Sequence, residues 1–414
     1  MIHFDKFTLS NGLTVIIHED HSTPMVAVSI TYKVGSKDED PEKTGFAHLF
    51  EHLMFGGSVN VPDFDNIMQE AGGENNAFTN ADLTNFYDIV PADNLEAVLW
   101  LESDRMLQLN FNNKVLKTQK NVVIEEFKET CLNEPYGDMW HHLSKLSYQV
   151  HPYQWPTIGK SMDHIANANL DQVSSFFYNF YHPGNAILTL AGHIDFETGK
   201  KMVEEWFGDI PGGNTVKNTP NPEPKHISHN RIEVTGNVPH DAIYLAYNMG
   251  NRLSKEYYVC DLISDLLANG RSSRFYKRLY KEKQFFSTID AFVSGSVDPG
   301  LFIIEGKLMP GITLEQARQG IMDELDLLKN ERIPDTELQK LKNSVESSLT
   351  FSEISVLNKA ISLSYFEALG DARLINEEAG NYQSITAGDI METARSLFVD
   401  INCNELIYLR SDTN

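Results

Sequence analysis

Cysteine is scarce: Cys131, Cys260 and Cys403 are the three in 414 residues, scattered with no pairing rhythm. An odd, unpaired set is no disulfide framework, so a reducing, cytoplasmic home is expected, or a periplasmic one if a signal has been trimmed. Long apolar runs are missing too. No stretch approaches the roughly 18 to 20 apolar residues that cross a bilayer, and "MIHFDKFTLSNG" has Asp5 where a secretory signal would need an apolar core. Positive charge is in short supply, with 34 Lys and Arg against 58 Asp and Glu and a net charge of −24. Such a chain repels phosphate backbones and anionic headgroups, which argues against nucleic acid and membrane surfaces as partners. Neutral or basic partners are easier to accommodate.

What is present is the composition of a globular protein, 41% hydrophobic and 22% charged. The length calls for two domains of roughly 200 residues each. Pro, Gly and Asn cluster in "PGGNTVKNTPNPEPKHISHN", which places a first domain at 1–215, a linker at 216–230 and a second domain at 231–414. The halves echo one another. "LDQVSSFFYNFYHPGNAILTL" from Leu170 and "GDIMETARSLFVDINCNELIYL" from Gly388 both read as amphipathic helix, polar turn and apolar strand, with Ile187–Leu190 and Glu405–Tyr408 equally far from Asp171 and Asp389. "AVSITYKVG" then "HLFEHLMFGGS" is matched by "AIYLAYNMG" then "DLISDLLANGRSS", which sets His48 on Asp261, Glu51 on Ser264 and His52 on Asp265. The apolar pattern survives the duplication and the chemical residues do not, so those residues do something other than hold a helix together. Strands are expected in "LTVIIHED", "MVAVSITYKV" and "NFYDIVP", and helices near 94–109, 114–132, 313–329 and 335–349. This irregular alternation points to the α+β class, with helices packed on mostly antiparallel sheets.

The chemistry concentrates in "FAHLFEHLMFGG". At about 100° per residue, His48 and His52 lie roughly 40° apart on a helix, one turn from each other, and both imidazoles can reach one ion. Glu51 lies about 60° to the other side of His48, near enough to approach coordinated water without ligating the metal. Zinc held by two His and one carboxylate keeps an open position and acidifies its water, chemistry suited to amide hydrolysis. Leu49, Phe50, Leu53, Met54 and Phe55 cover too much of the helix for a surface element, and burying three titratable groups without partners is costly. A metal removes that conflict; satisfied core histidines are the plain alternative.

The order His-x-x-Glu-His resembles the inverted zinc motif of the pitrilysin, insulin-degrading-enzyme and mitochondrial-processing-peptidase family. "GGENNAFTNADLTNFYDIV", "NVVIEEFKETCLNEPYG", "HPYQWPTIG" and "FYHPGNAILTLAGHID" resemble that family's later landmarks in order, and "GRSSRFYKRLYKEKQ" and "DPGLFIIEG" extend the likeness into the second half. The resemblance implies a zinc metalloendopeptidase with Glu51 as the catalytic base and His48, His52 and a later glutamate as ligands. "VVIEEFKE" offers Glu125, Glu126 and Glu129; periodicity leaves Glu126 and Glu129 on one face, and the family pattern maps the ligand to Glu126, with Glu129 in reserve. Gln119 stands where many members carry a supporting glutamate. By the same resemblance, Asn76, Ala77 and Phe78 would form the edge to which an extended peptide adds as a strand. Arg274 and Tyr276 are the candidates for a substrate-gripping pair supplied by the metal-free domain. Two such chains would close into a clamshell, as a homodimer or as a heterodimer with a related subunit. A non-catalytic or partner-dependent subunit is the alternative. His141 and His142 face different ways on a helix, and His151 and His182 read as turn and packing residues.

Overall fold

The computed structural model describes residues 1–214 and 219–411, so residues 216–218 of the expected linker lie outside the described residues. The chain forms two compact units. The first unit is built on a sheet of six strands, β1 (Asp5–Thr8), β2 (Thr14–Glu19), β3 (Met25–Tyr32), β4 (Glu74–Thr79), β5 (Thr84–Pro91) and β6 (Ala186–Gly192), in the order β1-β2-β6-β3-β5-β4. The second has five, β7 (Asn230–Gly236), β8 (Ala242–Asn248), β9 (Phe286–Val293), β10 (Leu301–Leu308) and β11 (Cys403–Arg410), in the order β7-β11-β8-β10-β9.

Without β1, the two orders superimpose strand for strand. Each sheet has one parallel pair, β2 with β6 and β7 with β11, and is otherwise antiparallel. The duplication legible in the sequence is therefore a duplication of topology, in the α+β class expected. It extends to the outermost strands: Ala77 N–H donates to Asn76 Oδ1 in β4, and Ala291 N–H donates to Asp290 Oδ1 in β9, each at 2.8 Å.

In the first sheet, alternate residues serve two layers, as a period of two requires. Val15, Ile17, Val28, Ile30, Leu188 and Leu190 join the main core with α1 (Phe46–Met54), whereas Ile16, Ala27, Ile187 and Ala191 face the other way. That second face carries a stripe of small residues, Ala27, Ala191 and Thr189, between its isoleucines. Helix α4 (Val356–Ala368) lies across it with a matching stripe: Ala360 packs on Ala27 and Ala191, and Ser364 Oγ donates to Thr189 Oγ1 at 2.8 Å. Lys359 pairs with Asp20 at 2.6 Å beside it.

Here the structure departs from a division at 215 and 231. The first unit comprises Met1–Lys128, Trp155–Pro220 and Leu349–Glu377, and the second comprises Glu129–Gln154, Asn221–Ser348 and Glu378–Asn414. Each half of the chain thus lends the other unit a segment. Helix α3 (Met139–Ser147), from the first half, packs on β7, β8 and β11. The end of the expected linker is not a free connector either: Glu223 accepts the N–H groups of Gln149, Val150 and His151, and His226 Nε2 lies 3.0 Å from the Ser147 carbonyl.

Candidate metal centre

Of the nine residues of α1, Phe46, Ala47, Leu49, Phe50, Leu53 and Met54 are buried, and His48, Glu51 and His52 alone keep partial exposure. The helical period gathers the three polar side chains into one stripe, and the apolar remainder fixes which way that stripe points. The start of the helix has no side-chain cap of its own. Gly45 holds φ at +88°, where a Cβ would also meet the Ile158 carbonyl at 2.8 Å, and the cap comes from Glu39 instead. Its carboxylate accepts Gly45 N–H at 2.9 Å, Ala47 N–H at 2.8 Å and the Trp155 indole N–H at 3.2 Å. A carboxylate at a helix N-terminus is well placed for the helix dipole, but full burial opposes its charge and pushes the Glu39 pKa up to about 8.

The second element of the candidate site is α2 (Asn113–Phe127), capped by Asn112, whose side chain accepts Val115 N–H. Val123 and Phe127 are buried while Glu126 stays half-exposed, which turns its carboxylate towards α1. His48 Nε2 lies 3.7 Å from Glu126 Oε1, and His52 Nε2 lies 3.3 Å from Glu126 Oε2. The two imidazole rings stand 4.9 Å apart, close to perpendicular. Among the described residues this is the one group of three or more His, Cys, Asp or Glu side chains whose ligand atoms converge, all within 4.8 Å. Glu129 is outside it, in the π-helical turn Lys128–Asn133, and Glu125 pairs instead with Lys128 at 2.6 Å.

The donor set suits zinc. Tetrahedral zinc with bonds of roughly 2.0–2.2 Å to nitrogen and oxygen separates its ligands by about 3.3–3.6 Å, near the spacings found. The protonation states suit it as well: burial lowers the His48 pKa against the opposing Glu126 charge, and the hydrogen bond from His52 lowers that of Glu126. Both shifts favour the form that ligates, a neutral imidazole at His48 and an ionised carboxylate at Glu126. Among the described residues His48 Nδ1 is buried without a hydrogen-bond partner, so packing holds this ring where a second carboxylate or carbonyl commonly would.

Glu51 is anchored from the edge strand. Thr79 Oγ1, at the end of β4, donates to Glu51 Oε2 at 2.6 Å. Asn76, Ala77 and Phe78 lie on this same strand, at the open edge of the sheet. Arg274 and Tyr276 belong to the second unit and have partners there: Arg274 pairs with Glu337 at 2.8 Å, and the Tyr276 ring stacks on Tyr280 at 5.2 Å. The positions matching the histidines have been rebuilt as a polar contact, with Tyr382 donating to Asp261 at 2.5 Å and Asn269 to Asp265. Thr79 and Glu39 carried no signal in the sequence, because a lone threonine at a strand end and a lone acid in a turn are ordinary. His151 packs against Tyr153 at 4.2 Å and His182 is buried, consistent with packing residues.

The family profile described as insulinase (peptidase family M16) matches residues 14–160, and the one described as peptidase M16 inactive domain matches 167–345. The chain belongs to the peptidase M16 family, and His48, Glu51, His52 and Glu126 fall within the first match. A Helicobacter pylori zinc protease named PqqE is 27% identical over 403 residues, covering 96% of this chain and 90% of that one. An uncharacterized zinc protease of Bacillus subtilis, YmxG, is 25% identical over 403 residues, covering 95% and 96%. Among solved structures, a protease from Helicobacter pylori superposes with a TM-score of 0.94 at 26% identity over 99% of this chain and 100% of that one. No helix of the described residues is long and apolar enough to cross a membrane.

Proposed function

We propose that this chain is a zinc-dependent endopeptidase acting on peptides or unfolded segments bound as an extended strand. The observation that carries the reading is the meeting of His48, His52 and Glu126 from two helices, with Glu51 beside them and outside the ligand set. The names of the zinc proteases similar to this chain support it.

His48 and His52 through Nε2 and Glu126 through its carboxylate would hold the zinc ion, which supplies Lewis-acid polarisation of a carbonyl and acidifies water. Glu51 Oε1 takes the proton of the attacking water as its oxygen bonds to the carbonyl carbon. When the carbon–nitrogen bond breaks, the same carboxyl returns that proton to the departing amine. Thr79 keeps Oε2 engaged, leaving Oε1 for the proton. The open edge of β4 presents backbone groups at Asn76, Ala77 and Phe78, and strand addition there reads backbone more than side chain, so a broad range of sequences is accommodated.

A partner-dependent subunit is the second reading, and one observation favours it: Arg274 pairs with Glu337 and the Tyr276 ring stacks on Tyr280, so a different, related subunit would supply the substrate-gripping pair. One experiment separates the two. The purified chain, alone and with its mass in solution measured, is incubated with an unstructured peptide with and without chelator, and Glu51→Gln is assayed beside it. The peptidase reading expects cleavage that chelator abolishes and zinc restores, and a loss of at least about 100-fold in the variant with its zinc retained. Absence of chelator-sensitive cleavage overturns it.

A further inference from the structure

The strand that offers its edge also holds the base. Thr79 is the last residue of β4, three places beyond Asn76, and its hydroxyl makes a 2.6 Å hydrogen bond to Glu51 Oε2. Its own position is fixed from the other side. Thr79 pairs across the ladder with Thr84, whose side chain is fully buried and whose hydroxyl donates to the Val34 carbonyl at 3.0 Å, with the two threonine hydroxyls 3.4 Å apart. A β-branched side chain has few rotamers, so a threonine pinned at its backbone by β5 aims its hydroxyl in one direction. Glu51, by contrast, has three rotatable bonds and partial exposure, and nothing in α1 itself selects its rotamer.

Building on the peptidase reading, we infer that Thr79 is the positioning residue that sets the orientation of the Glu51 carboxylate and ties it to the strand on which the peptide docks. The Thr79 hydroxyl has one proton, and it is directed at Oε2, so Oε1 is the oxygen presented to water. The same strand has an unfilled outer edge, where Ala77 N–H is covered by the Asn76 side chain at 2.8 Å. An extended peptide must displace that amide to pair with the backbone. The added strand then stiffens β4 within three residues of the hydroxyl that aims the base, so docking and base orientation are linked through a single short strand.

The test compares Thr79→Val, which keeps the shape and removes the donor, with Thr79→Ser, which keeps the donor. Cleavage of an unstructured peptide, zinc content, melting temperature and crystal structures of both variants are measured. Thr79→Val should lower kcat about tenfold or more with KM changed by less than about threefold, retain zinc and melting temperature, and show the Glu51 carboxylate displaced or spread over several rotamers. Thr79→Ser keeps the donor without the β-branch, and should restore most of the rate and return the Glu51 carboxylate to its wild-type position. A valine variant in which Glu51 keeps its position overturns the inference whatever the rate, and so does a serine variant that stays as slow as the valine one. If the wild type cleaves nothing while Glu51 moves in Thr79→Val and returns in Thr79→Ser, the hydrolase reading fails and the positioning contact stands.

Discussion

Replacing Glu39 by Gln should flatten the pH dependence of stability of the zinc-free protein. Burial raises the Glu39 pKa from 4.5 to about 8 in the folded chain. Below about pH 4.5 both states hold the proton and the group has no effect on stability. Above it the unfolded chain releases the proton and the folded one does not, so stability falls as pH rises and the loss is complete near pH 8. Each pH interval of one is worth about 1.4 kcal/mol in the intervening range, which gives a loss of about 2.5 kcal/mol between pH 5 and pH 7 from this residue. The substituted side chain cannot titrate, although its amide meets N–H donors at Gly45 and Ala47 and costs a constant amount at every pH. Urea midpoints of wild type and Glu39→Gln at the two pH values, together with hydrogen-exchange protection of the Gly45 and Ala47 amides, isolate the difference. A variant that parallels the wild type at a fixed offset refutes the reasoning, since Glu39 would then be ionised when folded, with its three N–H donors outweighing burial.

Other perturbations follow from the same geometry. Glu126→Ala should weaken zinc binding at least about 100-fold by equilibrium dialysis, whereas Glu129→Ala should leave stoichiometry and affinity unchanged. Arg105→Met removes the counter-charge of Glu102, paired with it at side-chain exposures of 2% and 0%, and should destabilise the first unit by about 3–5 kcal/mol in urea unfolding. Ala77→Pro deletes an edge N–H without breaking the sheet interior and should cut kcat/KM on peptides about tenfold while zinc content holds. Ala360→Leu forces a larger side chain against Ala27 and Ala191 and should cost about 1–3 kcal/mol, read as a lowered urea midpoint.

The site was legible where a local period carries it. Residues 48, 51 and 52 share a face because helical geometry places them there, and the apolar residues between them announced burial of the rest. The strands were legible from their β-branched and aromatic residues, and β2 and β3 are buried along nearly their whole length because the sheet packs on two faces. Helix α4 was not legible as a partner of the first sheet. Its contact stripe is made of Ala360 and Ser364 against Ala27, Ala191 and Thr189, and small residues in close contact have no marked hydrophobic period. The domain division at 215 and 231 missed this exchange because composition marks connectors, and the crossings at Glu129, Trp155 and Leu349 show no such shift.

By itself the sequence determined the local chemistry: a helix bearing His48, Glu51 and His52 on one stripe, two repeated halves, three scattered cysteines and no long apolar run. Tertiary structure decided what periodicity left open, that Glu126 and not Glu129 faces the imidazoles, and it alone decided that Thr79 holds Glu51, that Glu39 caps the helix, and that each unit takes a segment from the other half of the chain. The physical reason is range. Backbone periodicity fixes relations within a few residues, whereas a contact between positions 52 and 126 or 79 and 51 depends on how buried faces pack, and no neighbouring residue encodes that distance.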